Sequence, residues 1–487
     1  MKRHLTVLVA SLALLLAAGV GTAYAGGPGL GVPADQTQAI EQSQNATNSI
    51  DQSATAQSAA VNVSPNVAIA NKGSVDQSSS ASSGAVAVNK NDAQQGNTLS
   101  NTAGQSQSGA VADDNASHCC GTSEQAPKSQ SIEQSQNATN SISQNAEARS
   151  VAVNASPNVA VLNKGGDCNC GDGVDQSSNA SSGAVALNKN HSQQSNTLQN
   201  NARQSQGGHE NGGAADPSQS ITQDQNASNS IDQNAKATSF AVNVSPNVAI
   251  ANSGPVKQNS NASSGAVAVN ENRSQQSNQL ENSAGQSQAG GGSAPLSQDT
   301  RQSQNATNSI SQNAEARSFA FNASPNVALL NGGHGCGGCG HGGVRQSSGA
   351  SSGAFAGNWN SSEQSNDLGQ RARQSQEGGS GSCCGGGEQS QSVEQSQNAT
   401  NSISQNAEAK SFALNASPNV AAFNHGPVEQ SSNASSGAVA LNKNHSQQSN
   451  TLRQSADQRQ RRPGDGGGCC KRCNPCHPCD CERRCED

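Results

Sequence analysis

Cysteine and histidine are the residues of this chain that could bind a metal ion or form covalent cross-links. The chain has fifteen cysteines among 487 residues, and all of them lie between or after the repeated cores of the sequence. The candidate cross-linking or metal-binding residues are Cys119, Cys120, Cys168, Cys170, His334, Cys336, Cys339, His341, Cys383, Cys384, Cys469, Cys470, Cys473, Cys476, His477, Cys479, Cys481 and Cys485. Three interpretations are open: cross-linking disulfides, a metal site, and flexible disulfide loops without a ligand.

Adjacent cysteines favour cross-linking between chains. Cys119 with Cys120, and Cys383 with Cys384, could bond to each other only with considerable strain, because a disulfide needs a specific separation of its two residues. In an oxidising compartment such pairs bond more readily to another chain. The odd total of fifteen also requires at least one thiol that is free or pairs with a second chain.

Two segments have the ligand types of a metal site. The segment from His334 to His341 offers two thiols and two imidazoles, which is a complete tetrahedral set for zinc. The tail repeats a C-x-x-C spacing from Cys470 to Cys479, and this density of thiolates suits zinc or copper. An iron–sulfur cluster is disfavoured, because no apolar core would protect it.

Five copies of one block carry these segments. Each copy has a Q-N-A-[TS]-N-S-I core, followed by S-P-N-V-A and then by Q-x-x-x-A-S-S-G-A. We place the repeats at 36–107, 129–206, 218–288, 297–376 and 390–460, with a Cys-rich tail at 461–487. In the second and fourth blocks a Gly-rich insertion replaces a short Asn-x-Gly turn, so we expect the inserted cysteines to lie in surface loops.

The position of the charges predicts β-structure. We call each set of alternate positions along the chain a parity. In the second block Glu133, Glu147 and Arg149 share one parity, while Gln, Ala and Ile occupy the other. The remaining blocks follow the same rule. Side chains of a strand alternate between two faces, so a charge-free parity indicates one protected face. Because about twenty residues would exceed a usual strand, we expect turns near Asn137, Asn140 and Asn145, and three to five short strands per block.

Polar ladders must replace an apolar core in this composition. Aromatic residues make up 2% of the chain, and the net charge is only −7. In stacked strands, Gln and Asn amides can hydrogen-bond to their copies above and below. We predict inward ladders of Gln44, Asn48, Gln52, Gln136, Asn140, Gln144, Gln225, Asn229, Gln233, Gln304, Asn308, Gln312, Gln397, Asn401 and Gln405.

Apolar patches are expected to add modest burial to these ladders. Val151 with Val153, and Val185 with Leu187, mark two such patches in the second block. The phenylalanines at 240, 319, 321, 355, 412 and 423 fall in equivalent patches, where we expect a packing role.

The amino-terminal segment predicts export. Residues 1–25 combine a basic start, an apolar run and an A-x-A end, which is the pattern of a signal peptide cleaved near Ala25. No later segment is apolar enough to span a membrane. The expected location is extracellular or on the cell surface.

These features resemble the curlin-like family of bacterial amyloid fibre subunits. The resemblance rests on Gln44, Asn48 and Gln52 with their counterparts in the other blocks, behind a secretion signal. It implies Gln and Asn ladders inside a β-solenoid and self-association into fibres. The blocks are longer than curlin repeats and lack their glycine, so the resemblance indicates a class of assembly.

The sequence therefore predicts an all-β, solenoid-like rod of five blocks with Gly-rich, Cys-bearing loops and a disordered tail. We expect a secreted structural protein that self-associates into a fibre, coat or matrix. The alternatives are an extracellular Zn- or Cu-binding protein with the repeats as spacer, and a disordered surface adhesin. No catalytic motif is present, and the acidic balance disfavours nucleic acid. The basic residues near Arg459 suit either a solvated hinge or contact with a cell-envelope polymer.

Overall fold

Each sequence block folds into one coil of three β-strands, and the five coils stack on one another. The computed structural model describes residues 36–107, 128–163, 173–207, 218–290, 296–331, 343–378 and 389–461. The strands are β1 Gln36–Asn62, β2 Asn66–Ile69, β3 Val75–Gln107, β4 Lys128–Asn154, β5 Asn158–Val161, β6 Val174–Gly207, β7 Ser218–Asn243, β8 Asn247–Ile250, β9 Val256–Gly290, β10 Leu296–Asn322, β11 Asn326–Leu329, β12 Val344–Gly378, β13 Gln389–Asn415, β14 Asn419–Ala422 and β15 Val428–Arg461. We number the coils 1 to 5 in chain order.

Three parallel sheets run through the stack. The first sheet has the order β1-β4-β7-β10-β13, the short sheet β14-β11-β8-β5-β2, and the third sheet β15-β12-β9-β6-β3. Pairing is in register, so Gln44 lies beside Gln136, which lies beside Gln225. Parallel strands connected coil by coil define a solenoid, in which each repeat contacts only its neighbours. The prediction of an all-β, solenoid-like fold is confirmed, and the paired strands argue against a disordered adhesin.

The long strands are unbroken, and the prediction of turns near Asn137, Asn140 and Asn145 is wrong. All three residues lie within β4, which is paired along its length with β1 and β7. Each coil therefore has two long strands and one short strand. The 33 residues of β3 extend over roughly 110 Å, whereas five stacked coils rise only roughly 24 Å. Identical neighbours on both sides satisfy the backbone of such a strand, so no turn is needed.

The space between the first and third sheets is narrow and free of charge. Ala146 and Ala148 of the first sheet pack in one cluster with Ala184 and Ala186 of the third sheet, and this cluster continues through all coils. Larger side chains occur as columns of one residue type, such as Ile142 with its counterparts. Among the described residues, no Asp, Glu, Lys, Arg or His is buried. The charge-free parity of the sequence therefore marks the inward face.

The predicted apolar patches lie on the outer faces instead of contributing to the interior. Val151 and Val153 occupy the outward parity of β4, and they are only half-buried. On the same outer face the rings of Phe240 and Phe319 stack with their centroids 4.7 Å apart, and the centroids of Phe319 and Phe412 lie 5.2 Å apart. These residues share the parity of the charges, so their packing joins neighbouring coils from outside.

A tight arc joins the two long strands of each coil. The residue after each short strand has positive φ, with values from 53° to 57° at Ala70, Leu162, Ala251, Leu330 and Phe423. This conformation costs a non-glycine residue roughly 1–2 kcal/mol. In coils 1 to 4 the amide of this residue donates to a carbonyl of the next coil, as from Leu162 N to Ile250 O at 2.9 Å. Stacking therefore holds the arc in place.

Overfilling the interior should destabilise the coil, because the alanine columns leave no room for a larger side chain. We expect Ala237→Leu to lower the free energy of unfolding by about 1–3 kcal/mol, as overpacking does in other cores. The control is Thr238→Leu, which lies on the outer face of the same strand and should change stability by about 0.5 kcal/mol or less. Denaturant unfolding of both variants tests this expectation. Equal destabilisation would contradict the narrow interior.

Candidate functional site at the two end coils

Glutamine amides form continuous columns along the stacking direction. Nε2 of Gln136 donates to Oε1 of Gln44 at 3.2 Å, and Gln225, Gln304 and Gln397 continue this chain at 3.0, 2.9 and 2.9 Å. A second amide proton reaches the backbone of the facing sheet, as from Gln136 to Gln199 O at 3.1 Å. Each internal glutamine of this column therefore bonds to its neighbouring coils and to the opposite sheet.

Asparagine side chains connect the two sheets in a zigzag. Asn140 donates to Asn196 of the third sheet and to Asn229 of the first sheet, at 3.0 Å in each case. Asn196 in turn donates to Asn229 at 3.1 Å and to Asn278 at 2.9 Å. Removing one partner would leave several buried polar groups unsatisfied, which is the costly case for a hydrogen-bonded network.

A third column consists of serine hydroxyls that alternate between the first and third sheets. Each hydroxyl donates to the one before it, with Oγ–Oγ distances of 2.8 to 3.0 Å. Its ten members are Ser58, Ser83, Ser150, Ser182, Ser239, Ser264, Ser318, Ser352, Ser411 and Ser436. The column crosses all five coils without interruption.

The amide columns have opposite directions. Inward glutamines donate toward coil 1, as from Gln144 to Gln52 at 2.9 Å, while inward asparagines donate toward coil 5, as from Asn48 to Asn140 at 2.9 Å. The same senses recur in the third sheet, where Gln176 donates to Gln77, and Asn97 donates to Asn196. The stack is therefore chemically polar along its axis.

The two ends of the stack leave complementary halves of these bonds unsatisfied. In coil 5, Oε1 of Gln389 and Oε1 of Gln397 accept no hydrogen bond within the described part of the chain. In coil 1, Gln44 directs one amide proton to Ser100 O at 3.3 Å and has no glutamine on its other side. Coil 5 thus presents glutamine acceptors, and coil 1 presents glutamine donors.

The first and last coils also correspond residue for residue. β1 and β13 have 27 residues each, β2 and β14 have 4 each, and β3 and β15 begin at corresponding valines. The offset between Gln36 and Gln389 is maintained through all three strands. Neither coil carries an insertion in its arc, where Gly73 and Gly426 adopt φ of 104° and 108°. One coil 5 could therefore pair with the coil 1 of another copy in the register already used inside the molecule.

Charged side chains lie outside and pair between coils or along a strand. Lys189 Nζ lies 3.0 Å from Glu271 of the next coil, and Arg345 Nε lies 2.7 Å from Glu429. A hydrogen bond and the charge of Lys410 hold the pKa of Glu408 below its ordinary value. Burial raises the pKa of Asp224. These outer columns can change without disturbing the interior.

The structure brings all fifteen predicted ladder residues onto the inward parity and joins them in the columns described above. The eighteen candidate cross-linking or metal-binding residues, with the signal segment and tail, lie outside the described residues. Within the described ranges no group of three metal-ligating side chains occurs. No described helix is long and apolar enough to cross a membrane.

Sequence reasoning placed the second half of each block in the same stacking scheme, but it named no ladder residue of the third sheet and missed the serine column. The missed amides include Gln77, Asn89, Gln95, Asn97 and Gln105 with their counterparts. Their signal was available, because the charges at Asp76, Lys90 and Asp92 also share one parity. Serine gave no distinctive signal, since it occurs on both faces of every long strand.

Comparisons with known protein families, curated proteins and solved structures find no match for this chain. Any functional conclusion therefore depends on the chemistry of its own surfaces and interior.

Replacing one central asparagine should test the zigzag column. Asn229 is fully buried, and we expect Asn229→Leu to cost about 1–3 kcal/mol for each partner left unsatisfied. Asn226→Leu provides the control, because Asn226 lies on the outer face of the same strand and makes an exposed bond to Asn137 at 3.1 Å. Hydrogen exchange of coils 2 to 4 should increase only in the Asn229 variant. Unchanged exchange would contradict the structural importance of the column.

Proposed function

We propose that this protein is a secreted structural subunit that stacks head to tail into an extracellular fibre. The observation that carries the proposal is the complementarity of coil 5 and coil 1 in register, strand length and amide direction. Joining the two ends would continue the glutamine, asparagine and serine columns from one copy into the next. The amino-terminal segment 1–25 supports export, because it has the pattern of a signal peptide.

Open sheet edges support this assembly. β13 and β15 are edge strands of their sheets, and β15 is exposed along nearly its whole length. Exposed strand edges are templates for pairing with another chain, and soluble proteins commonly block them. Here the edges present long, regular and uncharged inward faces, which are suited to pairing.

The polarity of the columns selects one direction of joining. Two copies that met through their coil 1 faces would place glutamine donors on both sides of the joint and make the joined strands antiparallel. A coil 5 to coil 1 contact avoids both faults. Such a contact is heterologous, because it joins two different surfaces. Since no rotation closes the subunits into a ring, the contact produces an open filament. Strands would lie across the fibre, and the stacking direction would be its axis.

Negative charges on the inward face of coil 5 should block assembly, and circular dichroism of each double variant verifies that the subunit is folded. We expect the double variant Asn401→Asp, Gln405→Glu to lose most fibre formation, because stacking would bury two carboxylates without partners. The matched control is Asn398→Asp, Asn406→Asp, which adds the same charge to the outer face of the same strand. Electron microscopy and sedimentation measure the difference.

Two outcomes would contradict this mechanism. Equal assembly of both double variants would show that the inward face of coil 5 does not form the joint. Aligned wild-type material should give a reflection at about 4.7 Å along the fibre axis. The fibre proposal would be rejected if the wild-type protein, after removal of its signal segment, stayed monomeric and gave no such reflection.

Ionic strength should control the rate of stacking. In the proposed register Glu394 would face Glu41, Glu429 would face Asp76, and Lys443 would face Lys90. These like charges repel at low salt and are screened at high salt, so assembly monitored by light scattering should accelerate as salt rises.

A charge-reversal variant isolates the contribution of the joint. Glu41→Lys, Asp76→Lys would face Glu394 and Glu429 with opposite charge, and it should assemble faster than wild type at low salt. The control is Glu133→Lys, Asp175→Lys, which makes the same changes in coil 2. Identical acceleration by both variants would assign the effect to net charge instead of the joint.

A further inference from the structure

We propose that the outer face of the third sheet carries a binding groove for an acidic polysaccharide. The groove lies along the final third of β3, β6, β9, β12 and β15. It is shallow, with a volume of about 790 Å³. The proposal does not depend on fibre formation, because the groove is complete within one copy.

Arginines without ion pairs concentrate at this place. Five of the eleven described arginines pair with carboxylates, namely Arg273, Arg301, Arg317, Arg345 and Arg459. The other six are Arg149, Arg203, Arg371, Arg373, Arg453 and Arg461. Five of these six lie near the ends of β6, β12 and β15. Three of the six, Arg203, Arg371 and Arg373, line the groove itself.

A glycine creates the depth of the groove. Arg203, Gly285 and Arg373 are consecutive members of one outer column, so the two arginines lie two coils apart, at roughly 10 Å. Gly285 has no side chain to fill the space between them. A Cβ added there would lie 3.8 Å from Cγ of Arg203. Arg371 lines the same groove, so three guanidinium groups without ion pairs surround an open floor.

Neutral hydrogen-bonding groups flank these arginines, and the ion pair of Asp457 with Arg459 lines the groove on β15. Ser205, Ser287 and Ser375 form one flanking column, and Asn201 and Ser283 lie on the other flank. Hydroxyl and amide groups bind sugar hydroxyls, while guanidinium groups bind carboxylates through paired hydrogen bonds. Cations separated by rows of neutral polar groups match a polymer whose acidic groups are separated by neutral sugar atoms.

The spacing of the charges favours polysaccharide over nucleic acid. Duplex DNA carries about one negative charge per 1.7 Å of axis, far denser than arginines at roughly 10 Å. Among the residues that the structure describes, no aromatic side chain lines the groove, so bases would find no stacking surface there.

Binding of polygalacturonate to the full chain, with its signal segment removed, tests the proposal. We expect the wild-type protein to bind, and the triple variant Arg203→Gln, Arg371→Gln, Arg373→Gln to bind at least about tenfold more weakly, because three charge-assisted contacts are lost. The control Arg273→Gln, Arg317→Gln, Arg345→Gln removes the same charge from paired arginines elsewhere, and it should stay within about twofold of wild type. Thermal unfolding of each variant verifies that it is folded.

A second variant separates the shape of the groove from its charge. Gly285→Leu keeps every arginine and fills the floor, so it should also weaken polygalacturonate binding. Neutral amylose should bind neither wild type nor any variant. The proposal is overturned if wild type does not bind polygalacturonate, if both triple variants bind equally, if Gly285→Leu binds like wild type, or if amylose binds as well. Tighter, groove-dependent binding of duplex DNA would assign the groove to nucleic acid instead.

Discussion

Every buried amide column depends on an identical residue lying one coil away. A glutamine such as Gln225 donates to Gln136 and accepts from Gln304, so its polar atoms are satisfied only while the register is maintained. Burying an amide without partners costs several kcal/mol in an apolar setting. These hydrogen bonds therefore stabilise the register. A shift of one residue would exchange the inward and outward side chains along a whole strand. This constraint explains how a chain with almost no aromatic residues forms an ordered interior.

The two parities of each strand serve different purposes. The inward parity repeats the same small or amide-bearing residue in coil after coil, and it leaves little freedom for change. The outward parity carries ion pairs, stacked phenylalanines and the arginine groove, which differ from coil to coil. In the proposed fibre the inward set would join subunits, while the outward set would contact the surroundings. Assembly and recognition would then be specified by alternate residues of the same strands.

Much of the fold could be predicted from sequence because the charged residues avoid the inward face of each strand. The parity of Glu133, Glu147 and Arg149 was sufficient to predict strands with a protected face, and the repeated Q-N-A-[TS]-N-S-I core indicated stacked ladders. Strand length could not be predicted in this way. Ordinary strands are short, so the sequence predicts a turn at Asn140 as well as a ladder amide, and only the ladder amide is present, bonded to Asn196 and Asn229. Only the pairing of whole coils reveals why such a long strand persists.

The outward apolar residues show a second limit of sequence reasoning. The apolar type of Val151 and Phe240 predicts modest burial in a patch, but it does not show that both residues lie on the outward parity beside the charges. The open end coils could not be recognised from a single block either. Their complementarity depends on the direction in which each amide donates, and this is a property of the complete stack.

The equal fit of every coil to its neighbours has a consequence for inheritance. Recombination between copies of the block within the gene would add or remove whole coils, and each product would retain matched surfaces throughout its length. A single inserted codon within a long strand would instead turn the charges of one coil inward. The arcs tolerate additional residues, as the insertions after Asn163 and Asn331 demonstrate. Variation in such a lineage should therefore occur as entire blocks or as changes at the arcs.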